Sequence, residues 1–233
     1  MNYLDTTSLF NTIDNVSEAL LFNREIGIKE KSEIIDFIIQ RQGLPHAYAN
    51  TFAPTDRDLK GDLILFTGER ISTNAGKCHT IGEETCRVLR KLNAGSYKVK
   101  LTLQKADNGL RYRIDEYFEE GRYEYGMYCC KRCSLALWLN LASGGLGKDT
   151  RLLEAGLRSL KKFRDKKGRW NGFPYYYTLY VLNEIEPEMA REEIKYTSPV
   201  LERKLKMNHA EENKYAVRRK YIGEQLLNKV KNY

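Results

Sequence analysis

The sequence predicts a mainly α fold built of helical hairpins, with one β-hairpin inserted around residues 96–118. Three observations carry this. Apolar residues recur at spacings of three and four over several long segments, which places them on one face of a helix. Between Ser96 and Phe118 the apolar period changes to two. Glycines stand where helical patterns end, at Gly43, Gly144–Gly145 and Gly168.

In chain order, Asp14 or Ser17 can cap a first helix running through Ala19, Leu20 and Leu21. In KEKSEIIDFIIQRQG, Ile34, Ile35, Ile38 and Ile39 form a second helical stripe that stops at Gly43. Residues 43–62, GLPHAYANTFAPTDRDLKGD, hold two prolines and several polar turn formers, so they read as a long loop of the kind that carries function. Leu63 to Phe66 follows as a buried segment. AGKCHTIGEETCRVLRKLN is helical, with Ile81, Cys86, Val88, Leu89 and Leu92 turned inward.

SYKVKLTLQK then alternates Tyr97, Val99, Leu101 and Leu103 with polar residues, and LRYRIDEYF alternates Leu110, Tyr112 and Ile114. Asn108–Gly109 between two such runs is a strong hairpin signal. Helices return after Tyr125: YCCKRCSLALWLNLASGG is strongly apolar, and DTRLLEAGLRSLKKFRDKKG is amphipathic with Asp149 or Thr150 as its cap. Pro174 suits the first turn of the next helix. The chain divides into helical hairpins over 1–95, the β insertion over 96–124, further hairpins over 125–198 and a basic helical segment over 199–233.

At 233 residues, 42% hydrophobic and 30% charged, the chain can bury a core without crosslinks. No apolar run approaches the ~20 residues of a membrane-spanning helix, and MNYLDTTSLFNTIDN lacks the pattern of a secretory signal, so a cytoplasmic location is expected. Five cysteines, two of them adjacent at Cys129–Cys130, fit free thiols in a reducing compartment. The net charge of +8 suits an acidic partner such as nucleic acid, anionic lipid or a phosphorylated ligand, or serves solubility alone.

Two spacings recur. Phe37 to Gly43 parallels Phe163 to Gly168, each followed by an aromatic-rich stretch, and Cys86 to Leu92–Asn93 matches Cys133 to Leu139–Asn140. Such echoes suggest repeated α-hairpins. The run RLLEAGLRSLKKFRDKKGRWNGFPYYYTLYVL resembles the repeat of the α/α-toroid superfamily, the squalene and terpene cyclases and protein prenyltransferases. The match covers about Cys129 to Ile185, with a fainter one over Ile34 to Leu59. The resemblance implies a partial toroid and, if the chain is an enzyme, transferase-like or cyclase-like chemistry. The class II cyclase acid motif, Asp-x-Asp-Asp, is incomplete: Asp56-Arg57-Asp58-Leu59 lacks its last carboxylate.

Four constellations can carry function. Cys78–His79 and Cys86 on one segment, with Cys129, Cys130 and Cys133 on another, are thiolate and imidazole ligands suited to zinc, or buried core thiols. The resemblance adds that prenyltransferases bind zinc through Asp, Cys and His, and that lanthionine cyclases use a Cys–His pair. Asp56, Asp58, Asp62, Glu69, Glu83 and Glu84 are candidate acids and bases, or solvated surface acids. The C-terminal segment offers Lys214, Arg218, Arg219, Lys220, Lys229 and Lys231 with Tyr215, Tyr221 and Tyr233 for nucleic acid, although Ile222, Leu226 and Val230 also mark it as a packed helix. Finally Trp170, Phe173, Tyr176 and Tyr180 are candidates to line a site for an apolar or peptide ligand. In that helix Tyr175, Leu179 and Leu182 form the core stripe, while Tyr176 and Tyr180 lie about a hundred degrees round it.

Overall fold

A computed structural model describes residues 2–93, 95–207 and 213–231. The element order is α1 (Leu9–Leu21), α2 (Ile28–Ile39), a 3-10 turn (Tyr48–Asn50), α3 (Asp56–Leu59), β1 (Leu63–Ile64), β2 (Arg70–Ile71), α4 (Asn74–Asn93) and α5 (Tyr97–Glu119). It continues with α6 (Lys131–Ala142), a second 3-10 turn (Gly145–Gly147), α7 (Thr150–Lys162), α8 (Tyr175–Glu184), α9 (Pro187–Met207) and α10 (Lys214–Lys231). The fold is mainly α with one small antiparallel pair, Leu63 opposite Ile71 and Ile64 opposite Arg70.

That pair is not where the sequence pattern placed it. Residues 97–119 are helical, and the hairpin expected around 96–118 is α5. The alternation misled because the same residues also satisfy a helical period: Val99, Thr102, Leu103, Ala106, Leu110 and Ile114 make one buried stripe. Tyr97 and Tyr112, which complete the alternating pattern, are 80% and 70% exposed. Asn108–Gly109 makes no turn. Gly109 lies inside the helix because the loop carbonyl of Ala49 crosses it so closely that a Cβ would overlap the oxygen.

α4 is the hub, packing on α1, α2, α3, α5 and α6. It is buried all round from Lys77 to Leu89 apart from half-buried Cys78, although it carries Lys77, His79, Glu83, Glu84 and Arg87. Buried polar groups must find partners, and most do. Lys77 donates to the carbonyls of Leu59 and Gly61, Glu84 accepts from the Tyr177 hydroxyl, and Arg87 donates to Ser17 and Tyr180. α6 crosses α4 with Leu135, Leu137, Trp138 and Leu139 fully buried, each worth roughly 1.5–3 kcal/mol of transfer free energy.

The caps follow local chemistry. Ser8, and not Asp14 or Ser17, caps α1 by accepting from the Asn11 amide. Asp14 instead pairs with Arg218, which links α10 to α1. Asp149 caps α7 and Pro174 precedes α8. The two glycine-ended segments close alike: Gly43 and Gly168 both have positive φ, and isolated antiparallel bridges join Gln42 to Phe52 and Arg164 to Trp170. α9 runs continuously through Pro199. No helix is long and apolar enough to cross a membrane.

Candidate metal centre

One face of α4 leaves its polar groups unanswered. His79 Nδ1 and both carboxylate oxygens of Glu83, one turn further on, are buried with no hydrogen-bond partner among the described residues. They face the start of α6. There Cys129 takes a left-handed conformation, φ 58°, and Cys130 caps the helix, its sulfur accepting from the Cys133 amide at 3.4 Å. This kink turns the chain so that the sulfurs of Cys129 and Cys133 and a ring nitrogen of His79 all lie within 4.8 Å of one another. Cys130 joins them at the edge, its Sγ 3.3 Å from Cys133 Sγ.

A zinc ion about 2.3 Å from sulfur and about 2.0 Å from nitrogen holds tetrahedral ligand atoms roughly 3.5–3.8 Å apart. The three atoms are therefore within about an ångström of a ligating arrangement. Ring packing orients the imidazole: Tyr48 stacks on His79 with centroids 3.3 Å apart, and Tyr128 lies on another side at 5.6 Å. Burial lowers His79 to about 4, so the ring is neutral near pH 7 and has a lone pair to offer. Thiol hydrogen bonds from Cys129 and Cys133 pull Cys130 far down, while the reciprocal bonds push Cys133 up and raise Cys129. A cation at this point would favour the thiolate forms of these sulfurs. Burial also holds the Glu83 carboxyl well above the usual carboxylate range, with Asp107 adding to the effect.

No known protein family, curated protein or solved structure matches the chain.

Of the residues singled out by sequence, the structure brings His79, Cys129 and Cys133 into one group, with the exposed Cys130 outside it but 3.3 Å from Cys133 Sγ. Cys78 and Cys86 are not in the group: Cys78 is half-buried elsewhere on α4, and Cys86 is a core thiol whose pKa burial raises. The aromatic set divides. Trp170, Phe173 and Tyr180 are 3%, 6% and 1% exposed, and each is engaged in packing. Trp170 donates to Glu193 at 2.8 Å, Phe173 stacks on Trp138, and Tyr180 meets Arg87 and Phe66. Tyr176 lines a groove.

The acids are mostly structural. Asp58 closes a capping box with Thr55 and accepts from Ser8 and the Leu9 amide, Asp62 pairs with Arg70, and Glu69 accepts from the Tyr177 amide. On α10, Arg218 is buried against Asp14 and Glu18, Lys214 pairs with Asp14, and Lys229 donates to the Asn183 carbonyl. Tyr233 lies outside the described residues. Tyr48 and Tyr128, which clamp the imidazole, carry no sequence signal. Tyr48 reaches it because the loop over 43–62 folds back on α4 and α5, and Tyr128 because the segment leading into α6 packs there.

Proposed function

We propose that this chain is a zinc-binding helical domain in which His79, Cys129, Cys133 and Cys130 hold one thiophilic divalent ion. The reading rests on one observation: a ring nitrogen of the buried His79 lies within 4.8 Å of the sulfurs of Cys129 and Cys133, which come from a distant segment. Thiolate and imidazole are the ligand types that select zinc over magnesium or calcium. Such an ion ties the start of α6 to the hub helix α4, 50 residues or more apart in sequence.

Cys130 decides the class of site. With it, four protein ligands close the coordination sphere and the ion is structural; without it, an open position could activate a substrate thiol, as the resemblance to prenyltransferases implies. The 3.3 Å approach of Cys130 to Cys133 favours the closed arrangement. The likeness to the toroid repeat stays part of the proposal, supported by the matching closures at Gly43 and Gly168.

Metal analysis of the purified protein tests this. About one equivalent of zinc is expected for wild type, and none for His79→Ala or Cys133→Ser. Cobalt substitution, whose thiolate charge-transfer intensity counts sulfur ligands, should drop by one third in Cys130→Ser. A zinc content far below one equivalent in protein purified without chelator, and not restored by added zinc, would sink the reading.

A further inference from the structure

A second feature lies away from the metal centre and does not depend on it. A groove of about 570 Å³ runs between the 163–170 loop, the start of α8 and the end of α9. Lys167, Arg169, Arg203 and Lys204 line it, with Tyr176 between them. Arg219 of α10 lies over the Tyr176 ring at 4.3 Å, and Lys204 Nζ is 3.4 Å from the Tyr176 hydroxyl.

These five cations gather around one concavity. Among the described residues none of them is in an ion pair, whereas Lys91, Lys98, Arg111, Lys161, Lys162 and Arg164 each have a carboxylate. One carboxylate lines the groove, Asp165; it accepts from the amides of Lys167 and Arg169 and from the Tyr196 hydroxyl and offsets part of the Arg169 charge. Five cations against this one carboxylate leave a positive excess around one concavity, and such like charges repel one another at a cost that a polyanion would offset.

We propose that this groove binds the phosphodiester backbone of single-stranded nucleic acid. Three features choose this occupant. The cations come from three separate elements spread along an open groove, which suits an extended polyanion better than one compact anion. The backbone amides that would cradle a single phosphate are taken by Asp165, so recognition is left to side chains. The Tyr176 ring with the Arg219 guanidinium supplies planar groups on which a base can stack, and an acidic peptide has no use for them. The site differs from the basic face of α10 that the sequence suggested, where Arg218 is buried in an ion network.

The test is fluorescence anisotropy of the full chain with a labelled twelve-residue oligothymidine, and with a labelled poly-glutamate peptide of equal length. Wild type should bind the oligonucleotide with Kd on the order of 10⁻⁵ M, falling with salt at a slope of about −0.7 per phosphate contact. For three or four contacts the slope is about −2 to −3. Arg203→Ala/Lys204→Ala should weaken binding at least tenfold and flatten the slope by about 1.4. Tyr176→Leu should weaken binding with an unchanged slope, since stacking releases no counterions. Lys29→Ala/Lys31→Ala, on α2 away from the groove, should change little; circular dichroism checks that each variant is folded. Absence of binding at 50 mM salt, equal losses in the groove and α2 variants, or equal affinity for poly-glutamate would each overturn the proposal.

Discussion

The Tyr177 hydroxyl donates to Glu84 Oε1 at 2.6 Å, joining α8 to the hub helix across 93 residues of sequence inside a fully buried setting. Burial raises the Glu84 carboxyl above its ordinary value, opposed in part by Arg87 and by this hydrogen bond. A carboxyl whose folded pKa is raised binds more protons folded than unfolded, so its contribution to stability falls as pH rises from about 4.5 through the folded value. Glu84→Gln keeps an acceptor for Tyr177 and removes the titration. Urea unfolding between pH 5 and 8 should show a less negative slope for this variant than for wild type; parallel curves would contradict the assignment.

Gly109 tests the helix found where a hairpin was expected. In an exposed helix Gly→Ala stabilises by up to ~1 kcal/mol. Here the added methyl meets the Ala49 carbonyl, so Gly109→Ala should destabilise by about 1–3 kcal/mol in denaturant titration. Gly82→Ala, which meets the Thr51 hydroxyl, should behave in the same way. A stabilising effect at Gly109 would show that the 48–52 loop does not pack on α5.

Arg218 is bidentate to Asp14 at 2.8 and 2.9 Å and also reaches Glu18 and the Phe66 carbonyl. Its removal leaves Asp14 buried with only half-exposed Lys214 beside it. Arg218→Ala should therefore cost about 3–5 kcal/mol, read as a fall in the denaturation midpoint. Asp14→Asn, which leaves no bare charge, should cost less.

Zinc at a hundred times its dissociation constant should add about 2.7 kcal/mol to unfolding stability. Thermal unfolding with and without a chelator should separate accordingly for wild type and for Cys78→Ser, whose sulfur stands outside the cluster. The two curves should coincide for His79→Ala and Cys133→Ser.

Most helices were legible because their apolar stripes are long and start at recognisable caps, as at Asp149 and Pro174, although α2 ends at Ile39 with Gln40 as its cap, short of Gly43. The 97–119 segment was not, since a short run of alternating residues satisfies periods of 2 and 3.6 at once and only packing selects one. Gly109 compounded the error, because a glycine needed for close approach looks the same in sequence as one needed for a turn. The aromatics after Gly168 showed a related ambiguity. Trp170 and Tyr180 were taken by the core once Glu193 and Arg87 met their polar ends, which left Tyr176 at the groove.

By itself the sequence determined that this chain is mainly helical and that its charge is in excess, and it singled out its thiols and His79 as candidate metal ligands or core groups. These follow from local residue type and spacing. Only the tertiary structure decided which thiols meet the imidazole, since Cys78 and Cys86 are near in sequence to His79 but lie outside the group, while Cys129 and Cys133 reach it from α6. It likewise decided which basic residues stay uncompensated, because pairing depends on carboxylates brought in from elsewhere in the chain: Asp14 and Glu18 bury the charge of Arg218, and no carboxylate among the described residues pairs with Lys204.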